Sequence, residues 1–154
     1  MRLDEFFPPE RVKQMAEYMK TFAARFGIDD FRQPERIPNT RRALAIAEVA
    51  RDEGRLDPYR KRAMDAHWKD GMNLEDDNDL RRIALDAGLS GDAVERSKSD
   101  SQYLARVDAI REEASEMGVR GIPTFVIGKD GLSGAQPYEA FVDFATKAGA
   151  KRRT

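Results

Sequence analysis

The segment 118–136 constrains the fold of this chain most, because it places a short β-hairpin in an otherwise helical pattern. Residues 124–127 form a β-branched and aromatic run, Thr-Phe-Val-Ile, which is typical of a strand. The next four residues, Gly-Lys-Asp-Gly, tolerate the positive φ of a tight turn, and Leu132-Ser133 is expected to begin the returning strand. A two-stranded hairpin is marginal alone, so its apolar first strand is expected to need further strands beside it.

The loop before this strand is the first candidate binding site. Gly121 gives the chain freedom, and Pro123 opens the strand, where its missing N–H removes no ladder bond. If the Ile122–Pro123 bond is cis, the backbone N–H and C=O of Ile122 stay unpaired and can bond to an extended peptide, as an added strand would. The alternative is a trans proline at a strand start with no ligand, and the residues alone leave both interpretations open.

Composition excludes several classes of function. The chain has 154 residues, enough for one domain or slightly more, and its 27 Lys plus Arg nearly balance 28 Asp plus Glu. A net charge of −1 gives no electrostatic reason to expect nucleic acid or an acidic membrane as a partner. The absence of cysteine rules out disulfides and thiol chemistry within the chain, and one histidine argues against multi-histidine metal sites. We therefore predict no metal site.

Targeting signals are not evident in the sequence. No apolar run approaches the length of a membrane span, and the N-terminus lacks the apolar region of a signal peptide. These two features predict a cytoplasmic protein with no membrane partner.

Apolar residues at three- and four-residue steps predict helices over most of the chain. The first helix ends at Gly27, a block of helices fills residues 40–118, and the last helix opens at Gln136-Pro137. Within the block, Asp57-Pro58 is expected to begin one helix and Ser90 to cap a later one. The resulting fold class is α+β and mainly helical, with part of a sheet missing.

Four sequence motifs occur together in this chain. They are Gly121-Ile122-Pro123-Thr124-Phe125-Val126-Ile127, Ser133-Gly134-Ala135-Gln136-Pro137, Pro38-Asn39-Thr40 before an alanine-rich helix, and Leu80-Arg-Arg-Ile-Ala-Leu-Asp-Ala-Gly-Leu89. With these motifs the chain resembles the DsbA-like thioredoxin-fold family, in the branch of FrnE-type disulfide oxidoreductases and 2-hydroxychromene-2-carboxylate isomerases. The resemblance covers roughly residues 10–144. It implies a truncated thioredoxin-like fold with a helical insertion and a C-terminal β-hairpin plus helix.

The same resemblance implies a division of the chain into three parts. Residues 1–39 would form the N-terminal helix and connecting loop of the thioredoxin-like part, and residues 40–117 the helical insertion. Residues 118–154 would supply a cis-proline loop, the hairpin and the terminal helix.

The departure from the family pattern concerns the catalytic segment. Family members begin with a strand, a Cys-x-x-Cys or Ser-containing segment at a helix start, and a second strand, and this chain is expected to begin after them. The resemblance implies that Gly121, Ile122 and Pro123 contact substrate or glutathione, while no catalytic residue is assigned. Asn39 and His67 are candidates for the ligand cleft. A helix cap for Asn39 and a half-buried position for His67 are the structural alternatives.

Three functions follow from this pattern and stay open. The chain is a binding or assembly module without its own redox cysteine, one part of a thiol–disulfide oxidoreductase completed by another chain, or a glutathione-dependent isomerase or transferase-like enzyme. We expect no cofactor within the chain itself; the resemblance allows glutathione, and a peptide or thiol is the alternative ligand. An uncovered sheet edge promotes association, so we expect a homo-oligomer or a partner chain.

Overall fold

The computed structural model describes residues 2–32, 34 and 36–151. Its contacts divide the chain into two compact units, Met1–Asp108 and Ala109–Thr154. The helices are α1 Pro9–Ala24, α2 Arg41–Asp52, α3 Leu56–Trp68, α4 Asp77–Asp86, α5 Ala93–Ser99, α6 Ser101–Glu116 and α7 Tyr138–Lys147, with a 3-10 turn at Leu3–Glu5; the strands are β1 Thr124–Ile127 and β2 Asp130–Ser133.

Helices α2 to α5 build the apolar core of the first unit. Helix α2 packs against α3 and α5, and α4 packs against both of those helices. The alanine-rich sequence of α2 lets its neighbours approach closely, and its fully buried residues lie at helical spacing. Side chains buried in this core include Ile46, Val49, Ala50, Tyr59, Leu80, Ile83, Ala84 and Val94.

Two predicted helix starts are wrong, and a hydrogen bond from a distant residue explains the second error. Helix α3 begins at Leu56 with Arg55 at its N-cap, so Asp57 lies inside the first turn. A carboxylate in the first turn interacts favourably with the helix dipole. Helix α5 begins at Ala93 rather than after Ser90. Ser90 does not cap it, because its hydroxyl and backbone N–H donate to the carboxylate of Glu53 instead.

The turn of the hairpin in the second unit is shorter than the sequence predicts. Strands β1 and β2 are antiparallel, and Ile127 pairs with Asp130 across a two-residue turn. Gly128 has φ of +63° in that turn, a conformation that favours glycine. The returning strand therefore starts at Asp130, two residues before the predicted start.

One aromatic contact links the hairpin to the last helix. The ring of Phe125 in β1 lies edge-on to the ring of Phe141 in α7, with 4.8 Å between centroids. The three apolar residues 125–127 nevertheless stay exposed on both sides of β1. Within the described residues, the sheet consists of these two strands.

The predicted fold class is confirmed as α+β and mainly helical, with a C-terminal hairpin followed by a helix. The three-part division at residues 39/40 and 117/118 follows the expected family layout, which the contacts do not test, and it stays a prediction. In the part of the chain that the structure describes, no helix is long and apolar enough to cross a bilayer.

Candidate functional site

The loop at residues 121–123 is held from both ends by hydrogen bonds. The Thr124 hydroxyl donates to the carbonyl of Gly121 at 2.7 Å, and the backbone N–H of Gly134 donates to the carbonyl of Pro123 at 2.8 Å. The Ile122–Pro123 peptide bond is cis. The two hydrogen bonds fix the loop against the start of β1 and the end of β2, so its geometry does not depend on a ligand.

Ile122 projects from this loop into solvent. Its side chain is 95% exposed, the largest exposure among the described large apolar residues. Its backbone N–H and C=O form no hydrogen bond within residues 2–32, 34 and 36–151. A large apolar side chain and two free backbone groups on one ordered residue are the requirements for contact with a partner backbone.

The outer edge of β1 continues this surface. Opposite residues in an antiparallel hairpin alternate between hydrogen-bonded and non-hydrogen-bonded pairs. The pair that closes a two-residue turn is hydrogen-bonded. With Ile127 and Asp130 closing the turn, Thr124 and Val126 direct their backbone groups away from β2. Ile122, Thr124 and Val126 thus lie at alternate positions along one free edge.

Asn39 serves the start of α2. Its side-chain oxygen accepts a hydrogen bond from the backbone N–H of Arg41 at 3.0 Å, a local turn that satisfies one of the free donors at a helix start. Asn39 is exposed and is not among the residues that line the cavity described next.

His67 lines a cavity of about 250 Å³ in the first unit, between the segment before α2 and the end of α3 with its following loop. The two sides are tied together at Trp68, whose carbonyl accepts from the N–H of Arg32 at 2.7 Å and whose ring stacks on Phe31 at 5.3 Å. The lining residues are Arg32, Pro34, Arg36, Pro38, His67, Gly71, Met72 and Asn73. The structure therefore places His67 and the 121–123 loop in different units, and it does not group Asn39 with His67.

Sequence reasoning missed the other polar residues of this cavity. Arg32 and Arg36 lie four residues apart in a proline-containing segment that the sequence predicts as a connecting loop. Asn73 lies in the loop after α3, where its N–H donates to Asp79 at 2.7 Å. Two basic residues in a loop are a weak signal, because only the fold brings them opposite a histidine.

Among the described residues that line this cavity, His67 is the one buried ionisable group. It is 8% exposed, its ring lies edge-on to Trp68 at 4.7 Å, and its Nδ1 has no partner within the described residues. Burial lowers the pKa of His67 from its usual value of 6.5, while a backbone hydrogen bond involving Met72 acts in the opposite direction. The ring is therefore neutral near pH 7.

We expect the ¹⁵N resonances of the single imidazole to titrate with a pKa below 6.5 in the folded chain, and near 6.5 in urea. Between these two values the unfolded chain binds more protons, so the contribution of His67 to the free energy of unfolding is complete above pH 6.5. That contribution is lost as the pH falls through the folded pKa. A folded pKa at or above 6.5 would contradict the burial argument.

A metal site is not evident. No group of three or more His, Asp or Glu side chains suited to a metal ion is found among residues 2–32, 34 and 36–151.

The order of helical block, Gly-x-Pro loop, hairpin and terminal helix defines a thioredoxin-like protein with a helical insertion. The model of the DSBA-like thioredoxin domain matches residues 2–145, and the chain therefore belongs to that family. The predicted resemblance is confirmed, and the chain contains no cysteine with which to form the Cys-x-x-Cys segment of its redox-active members.

Two relatives extend the comparison. The chain is 22% identical over 142 residues to the uncharacterized protein YwbO of Bacillus subtilis (strain 168), covering 91% of this chain and 71% of that protein. It also matches the crystal structure of a probable DsbA oxidoreductase from Streptomyces coelicolor with a TM-score of 0.84 and 26% identity. That match covers 99% of this chain and 66% of the other, so the chain spans slightly less than two thirds of that structure.

Proposed function

We propose that this chain is a DsbA-family binding module that takes up an extended peptide along the free edge of β1, next to the 121–123 loop. The observation that carries the proposal is Ile122, which combines an almost fully exposed side chain with backbone groups that have no partner among the described residues. An added strand would bond to Ile122, Thr124 and Val126, because these residues alternate along that edge.

Main-chain pairing supplies affinity that is independent of peptide sequence, and the exposed apolar residues of β1 supply selectivity. Phe125 and Ile127 face one side of the hairpin and Val126 faces the other. The preferred ligand is therefore an extended segment with alternating apolar side chains. The same edge could accept a strand from a second copy or from a partner chain, which would cover the exposed hairpin.

A library of labelled extended peptides should test this proposal, with binding measured by fluorescence anisotropy. Ile122→Asp should weaken binding at least about tenfold, or about 1.4 kcal/mol, because it puts a charge where an apolar contact is made. The matched control is Met64→Asp in α3, since Met64 is also an exposed large apolar residue at 58%. Equal affinity for both variants would argue against the loop as the binding site.

Backbone pairing has its own readout. A peptide N-methylated at every second residue should lose binding in one register and keep it in the register shifted by one, because only alternate N–H groups face β1. Equal affinity in both registers would contradict strand addition even if the Ile122 variant binds poorly.

A second candidate is thiol–disulfide exchange with a thiol from outside these 154 residues, favoured by the match to a protein named as a probable DsbA oxidoreductase. Glutathione is then the simplest ligand, since its backbone can lie along the same edge. Reduced glutathione should raise the melting temperature of the wild-type chain but not of the Ile122→Asp variant. Light scattering in the same sample would show whether association or glutathione covers the edge.

A further inference from the structure

Two arginines give the cavity in the first unit a positive charge that the described part of the chain leaves uncompensated. Arg32 and Arg36 both line the cavity, and neither guanidinium has a carboxylate partner within residues 2–32, 34 and 36–151. Nearby acids are already paired, in the contacts Asp30–Lys69 at 2.9 Å and Asp70–Arg62 at 2.8 Å. Two guanidinium groups at one concave surface, with no carboxylate partner in the described part of the chain, favour an anion and disfavour a cation.

The chain accommodates one of these arginines closely. Gly71 has φ of +71°, and a Cβ added there would lie 3.2 Å from the Arg32 guanidinium carbon. Glycine at this position therefore allows the guanidinium to lie against the backbone of the loop after α3. Arg36 is fixed independently, because its backbone pairs with that of Arg2 in an antiparallel bridge. Both cationic groups thus project from backbone segments that are held in place.

The end of α3 and the loop that follows it add neutral hydrogen-bonding groups to the cavity lining. The Nδ1 atom of His67 is buried and has no partner within the described residues, on a side chain that is more than nine-tenths buried. The side-chain oxygen of Asn73 accepts from the N–H of Glu75 at 3.1 Å, which leaves its amide NH₂ group to donate elsewhere. A buried polar atom without a partner lowers stability, and a bound group that pairs with it removes that cost.

We propose that this cavity binds a small organic anion, with its carboxylate or phosphate group between Arg32 and Arg36 and a neighbouring polar group on His67 Nδ1. Bidentate guanidinium recognition suits both anion types, because each presents two oxygens in one plane. A volume of about 250 Å³ lies just below the roughly 300–1,000 Å³ of drug-sized pockets, so the ligand is a small metabolite. The site lies in a different unit from the 121–123 loop, and it does not rest on peptide binding.

The chain offers a direct probe, because His67 is its only histidine. Inorganic phosphate, glycerol 3-phosphate, malate and citrate should be titrated separately at constant ionic strength, following the imidazole ¹⁵N resonances and the melting temperature. At least one compound should saturate the shift of the imidazole resonance with a Kd below about 1 mM. Saturation by phosphates or by carboxylates identifies which of the two groups the cavity takes.

Charge-matched variants separate a site from general attraction. Arg36→Gln should raise Kd at least about tenfold, and because Arg36 is exposed the substitution should leave the fold intact. Arg60→Gln in α3 removes the same charge from an exposed arginine that does not line the cavity, and it should change Kd less than about twofold.

His67→Phe tests the polar wall. It keeps a buried aromatic ring but removes Nδ1, so it should weaken binding. Because this variant has no imidazole resonance, binding is followed through the melting temperature. The proposal is overturned if no compound shifts the imidazole resonance saturably, or if Arg60→Gln weakens binding as much as Arg36→Gln. Unchanged affinity in His67→Phe would overturn the assigned contact with Nδ1.

Discussion

Replacing Leu80 with alanine is expected to lower the free energy of unfolding of the first unit by about 2–5 kcal/mol. Leu80 lies in α4 and is completely buried in the core between α2, α3 and α5. Removal of its branched side chain loses apolar burial and leaves a space that neighbouring helices fill only in part. The loss is measured by urea unfolding followed through the fluorescence of Trp68, the only tryptophan, which lies in the same unit.

The same helix supplies the control. Leu85 in α4 is 49% exposed, so Leu85→Ala removes the same atoms with little change in buried area and should cost less than about 1 kcal/mol. The urea midpoint should fall with an unchanged slope in Leu80→Ala. Similar midpoints for the two variants would contradict the assignment of α4 to the core.

Glu53→Ala is expected to lower the free energy of unfolding by about 2–3 kcal/mol, the second largest effect. The carboxylate of Glu53 follows α2 and accepts from the backbone N–H of Ser90 at 3.0 Å, from its hydroxyl at 2.5 Å and from Arg96. Its removal leaves these donors without their charged acceptor at the start of α5. Urea unfolding monitored by Trp68 fluorescence and by circular dichroism gives the change.

A double-mutant cycle isolates the pair. Glu53→Ala and Ser90→Ala together should cost less than the sum of the single variants, by about 1 kcal/mol, because the two residues share hydrogen bonds. Glu17→Ala, at an exposed acid of α1, should stay within about 0.5 kcal/mol of the wild type. Additive costs for Glu53 and Ser90 would show that their contact does not contribute to stability.

The packing of Leu80 and the hydrogen bonds of Glu53 have a functional consequence, because the core positions the cavity. Helix α4 packs on α3, and α3 carries His67 at its C-terminal end. The loop between them is fixed by the bond from Met72 N–H to Ala66 at 2.8 Å. A loosened core should therefore weaken anion binding without any change in the lining residues.

The hairpin and its loop could be predicted from sequence because their signals are local. A β-branched run, a glycine in the turn and a proline before the strand act within a few residues of one another. The family motifs are also contiguous, so residues 121–123 could be singled out from the residues themselves. The exposure of Ile122 could be learned only from the structure. The outward direction of the backbone groups of Thr124 and Val126 likewise depends on the register of the two strands.

The partner of Ser90 could not be predicted in the same way. Local capping and a distant carboxylate compete for the same hydroxyl, and the side chain of Glu53 prevails although it lies 37 residues away. Packing of α2 against α5 brings the two together, and short-range patterns contain no information about that packing.

The sequence by itself determined the helices, the hairpin and the family, because apolar periodicity and turn residues act over short distances. Only the tertiary structure decided that Arg32 and Arg36 meet His67 and Asn73 around one cavity. In the sequence, α2 and most of α3 lie between the two arginines and His67. The charges and free donors of these residues acquire a common role only when the packing of α2, α3 and α4 brings them together.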